Sequence, residues 1–142
     1  MKTEDILSFI PQREPFVLID KLLQATEMIS ITSFQIPENH VLVENGLLTE
    51  SGLVENMAQT AAAGTGFTFH QKGIAPPVGF IGALKNLTIV ERPPIGSIIQ
   101  TEVKFLNQVL NAHLVEATIQ LNQKIIATCE LKIFLQTESP NS

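Results

Sequence analysis

The stretch ESGLVENMAQTAAAG, residues 50–64, has the spacing of a helix but almost no polar face. Helical patterning runs from about Thr49 to His70, with Thr49 or Ser51 available as N-cap and Gly73 as the stop. Leu53, Met57, Ala61 and Gly64 fall on one face, and Val54, Ala58, Ala62 and Thr65 widen it. Gly64 and Gly66 each weaken a helix by about 1 kcal/mol relative to Ala, so their presence predicts close backbone packing. The spacing therefore predicts an enclosed helix. Glu55 sits near its start, where the helix dipole alone favours an acid by about 0.3–1 kcal/mol. Its neighbours are apolar, however, and a carboxylate among them needs a partner or a functional reason.

Working outward, PFVLIDKLLQA (Pro15–Ala25) reads as a buried strand, and the alternating ISITSFQI (Ile29–Ile36) as its hairpin partner. After the helix come VGFIGALKNLTIVE (Val78–Glu91), SIIQTEVKFLNQV (Ser97–Val109), AHLVEATIQLN (Ala112–Asn122) and KIIATCELKIFLQ (Lys124–Gln136), the last three running as a meander. Thr3 can cap a short first helix ended by Pro11, and the tail TESPNS reads as frayed. No repeat or linker interrupts the chain, which reads as one α+β domain over residues 1–142: an antiparallel sheet wrapped around one long central helix of about five turns.

Composition narrows the function. Apolar residues make up 44% and charged residues 16%, a globular balance. A net charge of −5 speaks against a nucleic-acid partner. The single cysteine, Cys129, excludes an internal disulfide or zinc cluster, and no metal site is expected. The start, MKTEDILSFIP, carries acids where a signal peptide needs positive charge. No apolar run approaches the roughly 18–20 residues of a membrane span. The expectation is a cytoplasmic protein without a membrane partner.

Three motifs then carry a resemblance. IPQREPFVLID (Ile10–Asp20), GLVENMAQTAAAG (Gly52–Gly64) and GFIGALKNLTIVERPPIGSII (Gly79–Ile99) follow one another in order. They resemble the opening motif, central helix and third strand of the hotdog-fold 3-hydroxyacyl-acyl-carrier-protein dehydratases. The chain looks closer to a divergent branch of these proteins, found with polyene and flexirubin-type pigment synthesis, in which the His motif is eroded. The resemblance implies a homodimer, or a heterodimer with a related hotdog subunit, with sites at the subunit interface. It implies an acyl carrier protein as partner and no cofactor beyond the phosphopantetheine which that carrier bears. In the family a loop His and a helix acid act together. Glu55 matches the acid. The family's His-Phe-Pro-Gly, followed by a second Pro-Gly, is missing from HVLVENGLLTESG, and His40 lies one residue away from the family's spacing.

On that resemblance Glu55 and His40 are the candidate catalytic pair, His40 as base and Glu55 at the leaving hydroxyl. Backbone N–H groups around Ser51, Gly52 and Leu53 would hold the enolate-like oxygen. Phe80 and Gly82 would line the acyl groove. Gln59, one turn beyond Glu55, can fix the carboxylate, bind the thioester, or bond strand backbone. His70 and His113 read as structural, and Cys129 as a small buried apolar group. No Asp or Glu occurs from Asn56 to Val90, so Lys72 and Lys85, with Arg92 just beyond, form a basic stretch that could dock an acidic carrier or simply be scattered surface charge. Two further readings stay open: an acyl thioesterase driven by the helix acid, and a non-catalytic subunit of an active dehydratase.

Overall fold

The computed structural model describes residues 6–136. The expected cap at Thr3 and the tail from Thr137 onward lie outside them. Eight strands and one long helix follow in order: β1 (Lys21–Ala25), β2 (Ile29–Gln35), β3 (Val43–Glu44), β4 (Leu47–Leu48), the helix (Glu50–Gln71), β5 (Val78–Ile89), β6 (Ile98–Val109), β7 (Ala112–Leu121) and β8 (Lys124–Gln136). Six strands form one antiparallel sheet in the order β1-β2-β6-β7-β8-β5; β3 and β4 form a separate small hairpin.

The helix is 22 residues, about six turns. Thr49 caps it, its hydroxyl accepting the Gly52 N–H at 3.1 Å, and Gly73 at φ +70° leads the chain away. No residue from Gly52 to Phe69 is exposed. Leu53, Met57 and Ala61 join Ile99, Val103, Val115, Ala117, Ile119, Cys129 and Leu131 in one core cluster. The inward residues of β6, β7 and β8 alternate with outward ones, the period-2 pattern that lets one sheet face cover a helix. Cys129 is buried in this core as expected, and burial raises its thiol pKa.

Gly64 and Gly66 mark close approaches. A Cβ on Gly64 would lie 2.6 Å from the Ser30 side chain, and one on Gly66 would lie 2.0 Å from the Phe9 carbonyl oxygen. The polar residues inside the helix are satisfied rather than stranded. Asn56 donates to the Leu18 carbonyl at 2.8 Å and accepts from the Thr101 hydroxyl, while Thr60 meets Thr32 at 2.7 Å.

One expected strand is shorter than its apolar run. Only Lys21–Ala25 pairs as β1; Val17, Leu18 and Ile19 are buried but lie outside the sheet. The reason is local. The Leu18 N–H donates to Gln59 Oε1 at 2.7 Å, and the Phe16 and Leu18 carbonyls accept from Gln59 and Asn56. The helix amides provide what a neighbouring strand would otherwise supply.

Candidate functional site

Between the helix and the far half of the sheet lies a cavity of about 450 Å³. The helix presents one stripe to it: Glu55, Ala58, Ala62 and Thr65, at alternating spacings of three and four. The ten steps from Glu55 to Thr65 at 1.5 Å each make this wall about 15 Å long. Phe9, Phe80, Phe105, Ile81, Ile133 and Leu135 give the cavity a mainly apolar lining. Its size falls in the range typical of small-molecule sites.

Glu55 stands at one end of this stripe. It also borders a second, more open hollow, lined by Gln12, Arg13, Phe16, Leu42 and Ser51. Two amides hold the carboxylate: Gln12 Nε2 donates to Oε1 at 3.4 Å and Gln59 Nε2 to the same oxygen at 3.3 Å. Gln59 is fully buried and lines neither hollow. It bridges Glu55 to the Phe16 and Leu18 backbone, so it fixes the acid and the strand approach at once.

His40 is placed differently. Its Nδ1 accepts the Leu42 N–H at 3.0 Å, so Nε2 carries the ring hydrogen and faces the Val17 carbonyl at 3.1 Å. Both nitrogens are engaged by backbone, and the ring lines neither hollow. Within one chain the structure does not bring His40 and Glu55 into a shared cavity.

The helix start also differs from the oxyanion-binding expectation. The Gly52 N–H bonds the Thr49 hydroxyl and the Leu53 N–H bonds the Thr49 carbonyl at 3.0 Å, so neither is free to hold an oxyanion. The Leu53 side chain is entirely in the core, and Gly52 is pressed against Leu48. Ser51 borders the open hollow. Phe80 lines the main cavity, whereas Gly82 does not: it falls where the register of β5 against β8 shifts. A Cβ there would meet the Phe134 ring at 2.2 Å.

Lys72, Lys85 and Arg92 do not form one patch. Lys72 caps the helix C-terminus and lies 3.7 Å from Glu27. Arg92 lies at the other end, donating to the Leu48 and Glu44 carbonyls. Twenty-two helical residues at 1.5 Å put those ends about 33 Å apart. Lys85 sits on β5 opposite Glu130.

His113 is the residue whose place the sequence concealed. It lies on β7, its side chain lines the main cavity, and its ring meets Phe105 edge-on at 6.0 Å. Burial lowers its pKa. The inward phase of β7, shared with Val115, Ala117 and Ile119, was the available signal. His70, by contrast, is exposed at the helix end, edge-on to Phe9.

Among the described residues, no group of three or more His, Cys, Asp or Glu side chains could hold a metal, and no helix is long and apolar enough to cross a membrane. No curated protein matches the sequence significantly. Solved structures match across nearly the whole chain at low identity. A chain of the dehydratase heterocomplex ApeI:P from Xenorhabdus doucetiae is 17% identical with a TM-score of 0.79, covering 94% of this chain and 91% of that one. The smu.793 protein from Streptococcus mutans, bound to acetyl CoA, is 9% identical with a TM-score of 0.70, covering 91% and 97%. A hypothetical thioesterase with coenzyme A from Streptococcus pneumoniae is 6% identical with a TM-score of 0.67, covering 83% and 89%. These likenesses establish the hotdog fold. The match that reaches beyond fold is in the sequence itself, where residues 4–141 fit the ApeP-like family, described as ApeP dehydratase. With that match spanning almost the entire sequence, the chain belongs to the ApeP-like dehydratase family.

Proposed function

We propose that this protein binds 3-hydroxyacyl thioesters borne on an acyl carrier protein and supplies the acid half of a dehydratase site. A second, related hotdog subunit supplies the base. The observation that carries the reading is Glu55: a carboxylate pinned through one oxygen by Gln12 and Gln59, at the junction of a narrow apolar cavity and an open hollow. The acyl chain lies along the helix stripe, and the phosphopantetheine arm leaves through the hollow.

Dehydration removes a proton from C2 and breaks the C3–O bond. The C2–H electron pair becomes the new double bond, and the departing oxygen takes the proton that Glu55 carries in its acid form, leaving as water and Glu55 as the carboxylate. The base must hold the C2 proton. His40 has no ring nitrogen to spare in its own chain, which favours a base from a partner. Two further points support the heterodimer. β5 is a sheet edge bearing exposed Val78, Phe80, Leu84 and Leu87, the kind of surface that pairs with another chain. The Xenorhabdus relative is part of a two-component dehydratase.

The test is to follow 3-hydroxyacyl-carrier thioester by mass, with this protein alone and mixed with a hotdog dehydratase subunit from the same organism. Loss of water only in the mixture is the expected result. Release of free acid by this protein alone would instead support a thioesterase, with Glu55 activating water.

A further inference from the structure

Gln12 has one polar atom without a partner. Its Nε2 donates to Glu55 Oε1, but its Oε1 is buried and accepts no hydrogen bond among the described residues. The amide cannot simply be reversed, because that would set two acceptor oxygens against each other. An unmet acceptor shielded from water is costly, and such groups in native proteins call for an explanation. Gln12 lines both the main cavity and the open hollow, so its side chain stands where they meet, beside Glu55. The second carboxylate oxygen, Glu55 Oε2, also has no protein partner among the described residues.

With Glu55 in its acid form and the proton on the unpartnered Oε2, a ligand group that completes this pair must donate one hydrogen bond to Gln12 and accept one from Glu55 Oε2–H. A hydroxyl does both through one oxygen; a methylene or a carbonyl does not. We propose that Gln12 is the specificity-determining residue that recognises the 3-hydroxyl of the bound acyl group. This rests on the thioester reading above and adds the residue that distinguishes the hydroxylated ligand. Gln12 Oε1 takes the hydroxyl hydrogen and turns the oxygen lone pairs toward Glu55. Bringing the shielded oxygen into the cavity takes a turn about the soft terminal amide torsion, which gives up the long 3.4 Å bond from Nε2 and leaves Gln59 to hold Glu55 Oε1. When C3–O breaks, the departing oxygen keeps that hydrogen, gains the Glu55 proton, and leaves as water.

The experiment measures binding without turnover. Two pantetheine amides of equal chain length are compared by calorimetry, a 3-hydroxyacyl amide and its 3-deoxy counterpart, in which an amide nitrogen replaces the thioester sulfur. Wild type is expected to bind the hydroxylated ligand about tenfold more tightly. Gln12→Met, similar in length but without the acceptor, and Gln12→Ala should each bring the ratio of the two affinities to within about twofold of one. A preference that survives in both variants, or a wild-type ratio of one, overturns the proposal and leaves the thioester reading standing. If wild type binds neither amide, both fail.

Discussion

Glu55 Oε1 is held by two amides while the other oxygen is left open, an arrangement suited to a carboxylate that must act on something. Glu55→Gln keeps the shape but cannot give or take a proton. In the reconstituted complex it should lower dehydration by about 10² to 10⁴ without altering the assembled state. His40→Ala should behave otherwise. Losing two backbone contacts should cost about 1–3 kcal/mol of stability, while turnover per folded molecule falls less than about tenfold, well short of losing an acid–base group. A rate loss as large as that of Glu55→Gln would return His40 to the catalytic machinery.

His113 gives a pH prediction. Burial holds its pKa below the ordinary 6.5, so the folded protein favours the uncharged ring. Its contribution to stability is complete above that value and is lost as pH falls through the lower folded pKa. Melting curves of wild type and His113→Phe should therefore diverge below about pH 6.5, with wild type losing ground. A difference constant with pH would contradict this. The acid was legible in the sequence because a carboxylate in an apolar helix is conspicuous. His113 was not, because nothing in its neighbours tells which inward strand position opens onto a cavity rather than the core.

The helix itself was the most legible element. Its cap, its stop and its enclosed character follow from Thr49, Gly73 and the run of small residues, and its glycines meet other chain segments where packing was expected. Gly66→Ala should be strongly destabilising, since a methyl would be driven into the Phe9 carbonyl. Overpacking of this kind costs about 1–3 kcal/mol, which for a chain of this size lowers Tm by roughly 4–10 °C. A Tm within about 1 °C of wild type would show that the approach is loose. The PFVLID segment reads as strand in sequence yet lies outside the sheet, because apolar composition does not say which groups satisfy the backbone. Here Gln59 and Asn56 do so from a distance of about 40 residues.

At the scale of the molecule, the order of strands in the sheet was only partly visible. The β6-β7-β8 meander follows from short turns, but β5 reaches the far edge beside β8, a pairing that local patterning does not encode. That edge and the cavity adjoin, since Val78 to Ile81 belong to both, so covering the edge with a second subunit would also cover the site. Coupling of assembly to activity is the central expectation. The direct test is dehydration of 3-hydroxyacyl-carrier thioester by four samples: this protein alone, the related hotdog subunit alone, their mixture, and the mixture carrying Glu55→Gln here. Turnover is expected in the wild-type mixture only. Full activity of the Glu55→Gln mixture, or of the other subunit alone, would contradict it.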